Sequence, residues 1–280
     1  MLPTFVIIGA QKAATTTLWH QLSRHPQIFM CGMKETDFFI AEKNWGRGLA
    51  WYESLFNEAP SGAVGIGEAS PNYTMFPAYG GVPGRMAEVM PSARLIYVVR
   101  DPVERMRSGY LHALASGAET LSIDEALLER PHFLDTSRYA MQIDQYLEHF
   151  DRDQLLILVA EEFAADPGGN LDRVLEFLGL AGGWRPPDLD RRHHETSSKR
   201  VPRNWARLAG GAFIRLGMQP GRLPPNSRFK RSRLTTRILT PEDGRISNDV
   251  RQRLQDRLRP DVERLRAYLG PDFEGWGLLG

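Results

Sequence analysis

Short, continuous apolar runs alternate along the chain with stretches of helical period. Thr4–Ile8, Val64–Gly67, Leu95–Val99 and Leu155–Val159 carry apolar or small residues at consecutive rather than alternate positions. That pattern predicts strands buried on both faces. Thr16–Arg24 sets Leu18 and Leu22 four apart, and Val103–Ala115 and Arg138–Phe150 also have helical spacing, the latter through Tyr139, Ile143, Tyr146 and Leu147. A further helix is expected over Leu171–Leu178, with Gly179 as its left-handed stop. Strands separated by helices predict an α/β, three-layer domain with a central parallel sheet and helices on both faces.

The segment 182–240 breaks this rhythm. It holds Gly182-Gly183, Pro186-Pro187, Gly210-Gly211 and Pro224-Pro225 with weak periodicity, so 185–240 is expected to be a partly irregular arm or lid. A C-terminal helical segment is expected over 246–269 through Ile246, Val250, Leu254, Leu258, Val262, Leu265 and Leu269. Pro260 should divide it into two helices or kink one. With no internal repeat and no clean second domain, residues 1–280 read as a single domain.

Charge changes the picture only locally. The chain has 35 Lys+Arg against 34 Asp+Glu, yet 185–240 alone carries about +11, leaving about −10 elsewhere. Such a block attracts an anion or is simply solvated. Its aromatics are few (Trp205, Phe213 and Phe229), and no nucleic-acid-binding module accompanies them, so nucleic acid is not the expected partner. The one cysteine, Cys31, excludes an internal disulfide and any Cys-rich metal site. The first apolar run, Phe5–Ile8, is too short to span a bilayer, and no leader pattern precedes it. The expected location is cytoplasmic.

Two strand ends carry candidate chemistry. Gly9-Ala10-Gln11-Lys12-Ala13-Ala14-Thr15-Thr16 joins a buried strand to a helix through small residues, so backbone N–H groups can approach an anion while Lys12 and the threonine hydroxyls add donors. Its spacing is not that of a Walker A loop, and an ordinary strand–helix turn with a surface lysine is the alternative. Arg100-Asp101-Pro102 ends another strand, with Asp101 as N-cap and Ser108 two turns on. Arg100 and Ser108 suit a phosphate monoester, unless Arg100 pairs with Asp101 or Glu104. Gly65-x-Gly67 lacks a dinucleotide fingerprint, and His193-His194-Glu195 lacks zinc-site spacing.

Together these loops resemble the sulfotransferases that use 3′-phosphoadenylyl sulfate (PAPS), nearest to the heparan-sulfate N- and O-sulfotransferases and their bacterial relatives. Lys34-Glu35-Thr36-Asp37-Phe38-Phe39, Gly48-Leu49-Ala50-Trp51-Tyr52 and Gly67-Glu68-Ala69-Ser70-Pro71-Asn72-Tyr73 resemble further stretches of that group, as do Arg138-Tyr139-Ala140 and Phe177-Leu178-Gly179. The resemblance implies a P-loop-like fold and metal-free, in-line sulfuryl transfer. It places the 5′-phosphosulfate on Gln11, Lys12, Ala13, Ala14, Thr15 and Thr16, and the 3′-phosphate on Arg100 and Ser108. Lys12 would offset charge on the leaving phosphate, and Glu35 would be the base. Phe38 and Phe39 would desolvate Glu35 while Lys34 opposes the effect, and a solvated loop acid is the alternative reading of Glu35.

Ala69 and Asp37 depart from that group, which has a lysine and an auxiliary histidine there. Lys199 and Arg200 match its C-terminal loop only if a glycine is dropped. They contact the donor or simply contribute to the basic arm. The expected acceptor is a glycan or a small hydroxylated or amino molecule, an anionic one included. A P-loop small-molecule kinase and a non-enzymatic anion-binding protein are the rival readings.

Overall fold

Five parallel strands stand in the order β2–β3–β1–β4–β5, with β1 at the centre. The computed structural model describes residues 1–189, 200–202 and 236–279, with 200–202 and 236–237 described by their backbone alone. The elements run β1 (Phe5–Gly9), α1 (Thr15–Leu22), β2 (Ile28–Met30), α2 (Leu49–Ser54), β3 (Gly65–Ala69), α3 (Val82–Val89), β4 (Arg94–Val99) and α4 (Pro102–Ser116). Then come α5 (Ile123–Glu129), α6 (Pro131–Asp135), α7 (Tyr139–Leu147), β5 (Leu155–Val159), α8 (Ala160–Ala165), α9 (Pro167–Phe177), β6 (Arg200–Pro202), β7 (Thr236–Ile238) and α10 (Asn248–Leu269). Parallel strands require helical crossovers, and the helices cover the sheet. All residues of β1 and β3 are buried, which explains the unbroken apolar run of β1.

The four expected strands form. The third is displaced: β3 begins at Gly65 and runs on to Ala69, taking Glu68 into the sheet. Gly67 is required there, because a Cβ would meet the Phe5 ring at 2.2 Å. The three-residue β2 was too short to leave a pattern. Pro102 opens α4 as expected, and the Asp101 carboxylate accepts from the N–H groups of Val103 (2.8 Å) and Glu104 (3.0 Å). Gly179 takes φ 80°, and the next N–H, of Leu180, reaches back to the Leu175 carbonyl at 2.8 Å. Of the two forms expected around Pro260 the division into two helices is not found: α10 is one helix of 22 residues with Pro260 inside it. Leu254 and Leu258 before the proline and Val262 and Leu265 after it are all buried on the face packed against α7 and α4, which holds the two halves together.

From β1 the chain goes outward to β2 and β3 on one side, then crosses to β4 on the other. The segments leaving the carboxyl ends of β1 and β4 therefore diverge from adjacent strands, the place where open α/β sheets bind ligands.

The expected arm at 185–240 lies mostly outside the described residues. Its described beginning is tied down: Gln21 Nε2 donates to the Leu189 carbonyl (3.0 Å), Arg24 pairs with Asp188, and Arg185 donates through both terminal nitrogens to the Asp172 carboxylate (2.7 Å each). At the far end, β6 and β7 form an antiparallel pair, and β6 lies against α4.

Candidate active site

The β1–α1 loop has the backbone geometry that can line an anion pocket. Lys12 (φ 71°) and Ala14 (φ 66°) are left-handed, and Ala13 between them is not, an alternation that turns successive N–H groups toward one side. Ala14 is the N-cap of α1 and supplies no side-chain cap, so the first N–H groups of the helix have no side-chain acceptor. Gly9 brings the segment after β3 close, since a Cβ there would stand 2.0 Å from Thr74 Oγ1 and 3.0 Å from the Tyr97 ring.

Arg100 leaves the carboxyl end of β4 and turns to this loop. Its Nη1 donates to the Lys12 carbonyl at 3.2 Å, and its Nε stands 3.9 Å from Glu161. It pairs with neither Asp101 nor Glu104. Asp101 is occupied in capping α4, and Glu104 is held by Arg107 (3.4 Å) and Arg251 (3.0 Å). Ser108 stands about 9 Å further along α4 from Pro102, and it is half-buried. The structure therefore unites the loop 11–16 and Arg100. Lys199 lies outside the described residues, and Arg200 contributes only its backbone, in β6 beside α4.

The acidic segment runs along the end of β3, where the Glu35 N–H donates to the Ala69 carbonyl at 2.9 Å. Glu35 has φ 62°, and its carboxylate, 50% exposed, accepts from Lys34 Nζ at 3.1 Å. The desolvation expected from Phe38 and Phe39 is absent. Both rings turn into the core, Phe38 stacking on Tyr52 (4.2 Å, 6°) and Phe39 meeting Tyr73 edge-on (5.7 Å), while the Glu35 side chain faces out.

The buried acid of this region is Glu68, fully enclosed in β3. Its carboxylate accepts from Thr36 Oγ1 (2.5 Å), Ser70 Oγ (2.9 Å), Tyr52 OH (2.9 Å) and Tyr73 OH (2.9 Å). Burial pushes its carboxyl above the ordinary range, while the four hydroxyls pull it down. The sequence offered only one hint of it, in the stretch Glu68-Ala69-Ser70-Pro71-Asn72-Tyr73.

Asp37 is also buried. It accepts from Lys43 Nζ (2.5 Å) and from Asn72 Nδ2 at both oxygens (3.1 and 3.0 Å), and Asn72 Oδ1 in turn accepts from Gln11 Nε2 (3.4 Å). A polar chain thus links the β1 loop to the acidic segment. Among the described residues no three His, Cys, Asp or Glu side chains converge to hold a metal ion.

Residues 50–186 match the model of the sulfotransferase family. The chain is 29% identical to heparan sulfate glucosamine 3-O-sulfotransferase 3B1 of Mus musculus over 98% of its own length and 65% of the relative's, and so spans about two thirds of that protein. It is 30% identical to heparan sulfate glucosamine 3-O-sulfotransferase 6 of Homo sapiens, covering 98% of this chain and 74% of that one. In three dimensions it is similar to the crystal structure of a sulfotransferase from Alicyclobacillus acidocaldarius, with a TM-score of 0.72 and 26% identity over 99% of both chains. A relative matched at this identity over most of its own length, and a solved structure matched almost end to end, leave one conclusion: the chain belongs to the sulfotransferase family.

Proposed function

We propose that this sulfotransferase moves the sulfuryl group of PAPS to a hydroxyl or amine of a carbohydrate or small-molecule acceptor. The observation that carries the reading is the contact of Arg100 with the Lys12 carbonyl, which joins the two anion-binding elements in one crevice at the β1–β4 boundary. The N–H groups of the loop 11–16, with Lys12, Thr15 and Thr16, hold the 5′-phosphosulfate, and Arg100 and Ser108 hold the 3′-phosphate that distinguishes PAPS. As the acceptor oxygen or nitrogen bonds to sulfur, the bond from sulfur to the bridging phosphate oxygen breaks. Lys12 offsets the charge left on adenosine 3′,5′-bisphosphate, and Glu35, exposed beside the crevice, takes the acceptor's proton. Lys199 and Arg200 would join the donor contacts from the arm.

The relatives named for heparan sulfate support a glycan acceptor. The resemblance puts a lysine of that group at Ala69 and an auxiliary histidine at Asp37, which here pairs with Lys43, so the contacts to donor or acceptor differ at these two positions. The test is transfer of labelled sulfate from PAPS to a panel of glycans and hydroxylated or amino small molecules. Label in an acceptor supports the reading. ATP turnover that needs Mg²⁺, with PAPS inert, would replace it with a kinase.

A further inference from the structure

Three consecutive N–H groups follow the Glu35–Thr36 peptide, and each donates to a hydroxyl. Asp37 N–H reaches Ser70 Oγ at 3.1 Å, Phe38 N–H reaches Thr36 Oγ1 at 3.4 Å, and Phe39 N–H reaches Tyr73 OH at 3.4 Å. Each of these three hydroxyls donates its one proton to Glu68. Tyr52 OH completes the carboxylate's four contacts. A hydroxyl carries one donor and two acceptor positions, so it can accept from the backbone and donate onward only if its target accepts. An ionised carboxylate with four acceptor positions satisfies all four hydroxyls at once. Glu35 and Asp37 meanwhile hold left-handed backbones (φ 62° and 47°), which non-glycine residues keep only when their surroundings impose them. The Glu35 N–H on the Ala69 carbonyl and Asn44 Nδ2 on the Thr36 carbonyl (2.7 Å) complete the hold.

We propose that Glu68 is a positioning residue for the base: a buried carboxylate that, through Thr36, Ser70 and Tyr73, locks the backbone of residues 35–39 and so aims Glu35 at the acceptor. This rests on the reading of Glu35 as the base. Glu68 itself is walled off from solvent and touches no substrate. Its effect is geometric, and displacement of a reacting group by about 1 Å costs about a hundredfold in rate.

The test is a double-mutant cycle of Glu68→Gln and Glu35→Gln. It is read as release of adenosine 3′,5′-bisphosphate from PAPS, first with the best acceptor of the transfer screen and then with water alone. Glu68→Gln presents an NH₂ group to hydroxyls that need an acceptor. Its turnover is expected to fall about a hundredfold, while calorimetric affinity for adenosine 3′,5′-bisphosphate is unchanged. Added to Glu35→Gln, it should cost nothing more.

Thr36→Val removes one link of the relay and leaves Glu68 with three donors. It should lose a smaller share of turnover, and Thr36→Ser should restore it. This pair carries the test should Glu68→Gln not fold. A further loss in the double variant, a fall in bisphosphate affinity matching the fall in turnover, or wild-type turnover in Thr36→Val overturns this inference and spares the base assignment. Wild-type turnover in Glu35→Gln overturns both.

Discussion

The two halves of the site are built in opposite ways. On the donor side, the β1–α1 loop is mostly main chain: small residues, two left-handed positions and a helix start without a side-chain cap. From this loop Gln11 donates to Asn72, and the Lys12 carbonyl accepts from Arg100. On the base side, the N–H groups of Glu35, Asp37, Phe38 and Phe39 each have a protein acceptor, and the buried Glu68 carboxylate takes the hydroxyls that three of them reach. On the proposed reading the donor loop meets the nucleotide mainly through its backbone, whereas the base segment is held by side chains from the core. The contrast teaches which substitutions should act through binding, which through turnover and which through stability.

The largest effect should come from the base side. Glu35→Gln is expected to lower turnover by at least about a hundredfold with bisphosphate affinity and melting temperature unchanged, since its side chain is half exposed and pairs with the neighbouring Lys34. Turnover within error of wild type would break the comparison at its base side.

Gly9→Ala sharpens it on the donor side, because the new methyl group would collide with Thr74 Oγ1. Overpacking of this kind costs about 1–3 kcal/mol, a fall in Tm of roughly 2–4 °C per kcal/mol for a chain of this size. Differential scanning calorimetry should show that fall, with part of it recovered by Thr74→Ala in the same chain. An unchanged Tm would mean the strand end yields more than its packing implies.

The smallest effect belongs to the clamp at the start of the basic segment. Arg185 and the Gly183 N–H hold the Asp172 carboxyl at about 2, below its ordinary value. Because the folded-state value is depressed, this contribution is present above the unfolded carboxyl range and is lost as pH falls toward about 2. Melting curves should decline over that interval, and Asp172→Asn should flatten part of the decline. An identical slope in the variant would show that the clamp adds nothing, as exposed pairs often do.

Much of this was legible in the chain. Buried parallel strands announce themselves as unbroken apolar runs, and β1, β4 and β5 fell where such runs stood. The β1 loop was legible as a strand-to-helix connection, because its small residues separate the apolar run of β1 from the helical period of α1. Asp101-Pro102 marked the start of α4 through the chemistry of its cap.

Glu68 was not legible in its role. A carboxylate ordinarily signals exposure, so the third strand was expected to stop at Gly67, and only tertiary contacts from Thr36, Tyr52 and Tyr73 make a buried acid tolerable. The orientation of Glu35 was hidden for a related reason. Adjacent phenylalanines suggest an apolar environment, but the left-handed turn at Glu35 and Asp37 separates their direction from that of the acid, and non-glycine residues give no warning of such a turn. The three residues of β2 are too few to show a period.

The central claim is that the ends of β1 and β4 form one pocket for a doubly phosphorylated nucleotide. Calorimetry of wild type and Arg100→Ala with adenosine 3′,5′-bisphosphate and adenosine 5′-phosphate tests it most directly. The wild-type protein should prefer the bisphosphate, and Arg100→Ala should lose about ten- to hundredfold of affinity for it while binding the monophosphate nearly as before. No affinity of the wild type for the bisphosphate, or equal losses for both nucleotides, would contradict the account.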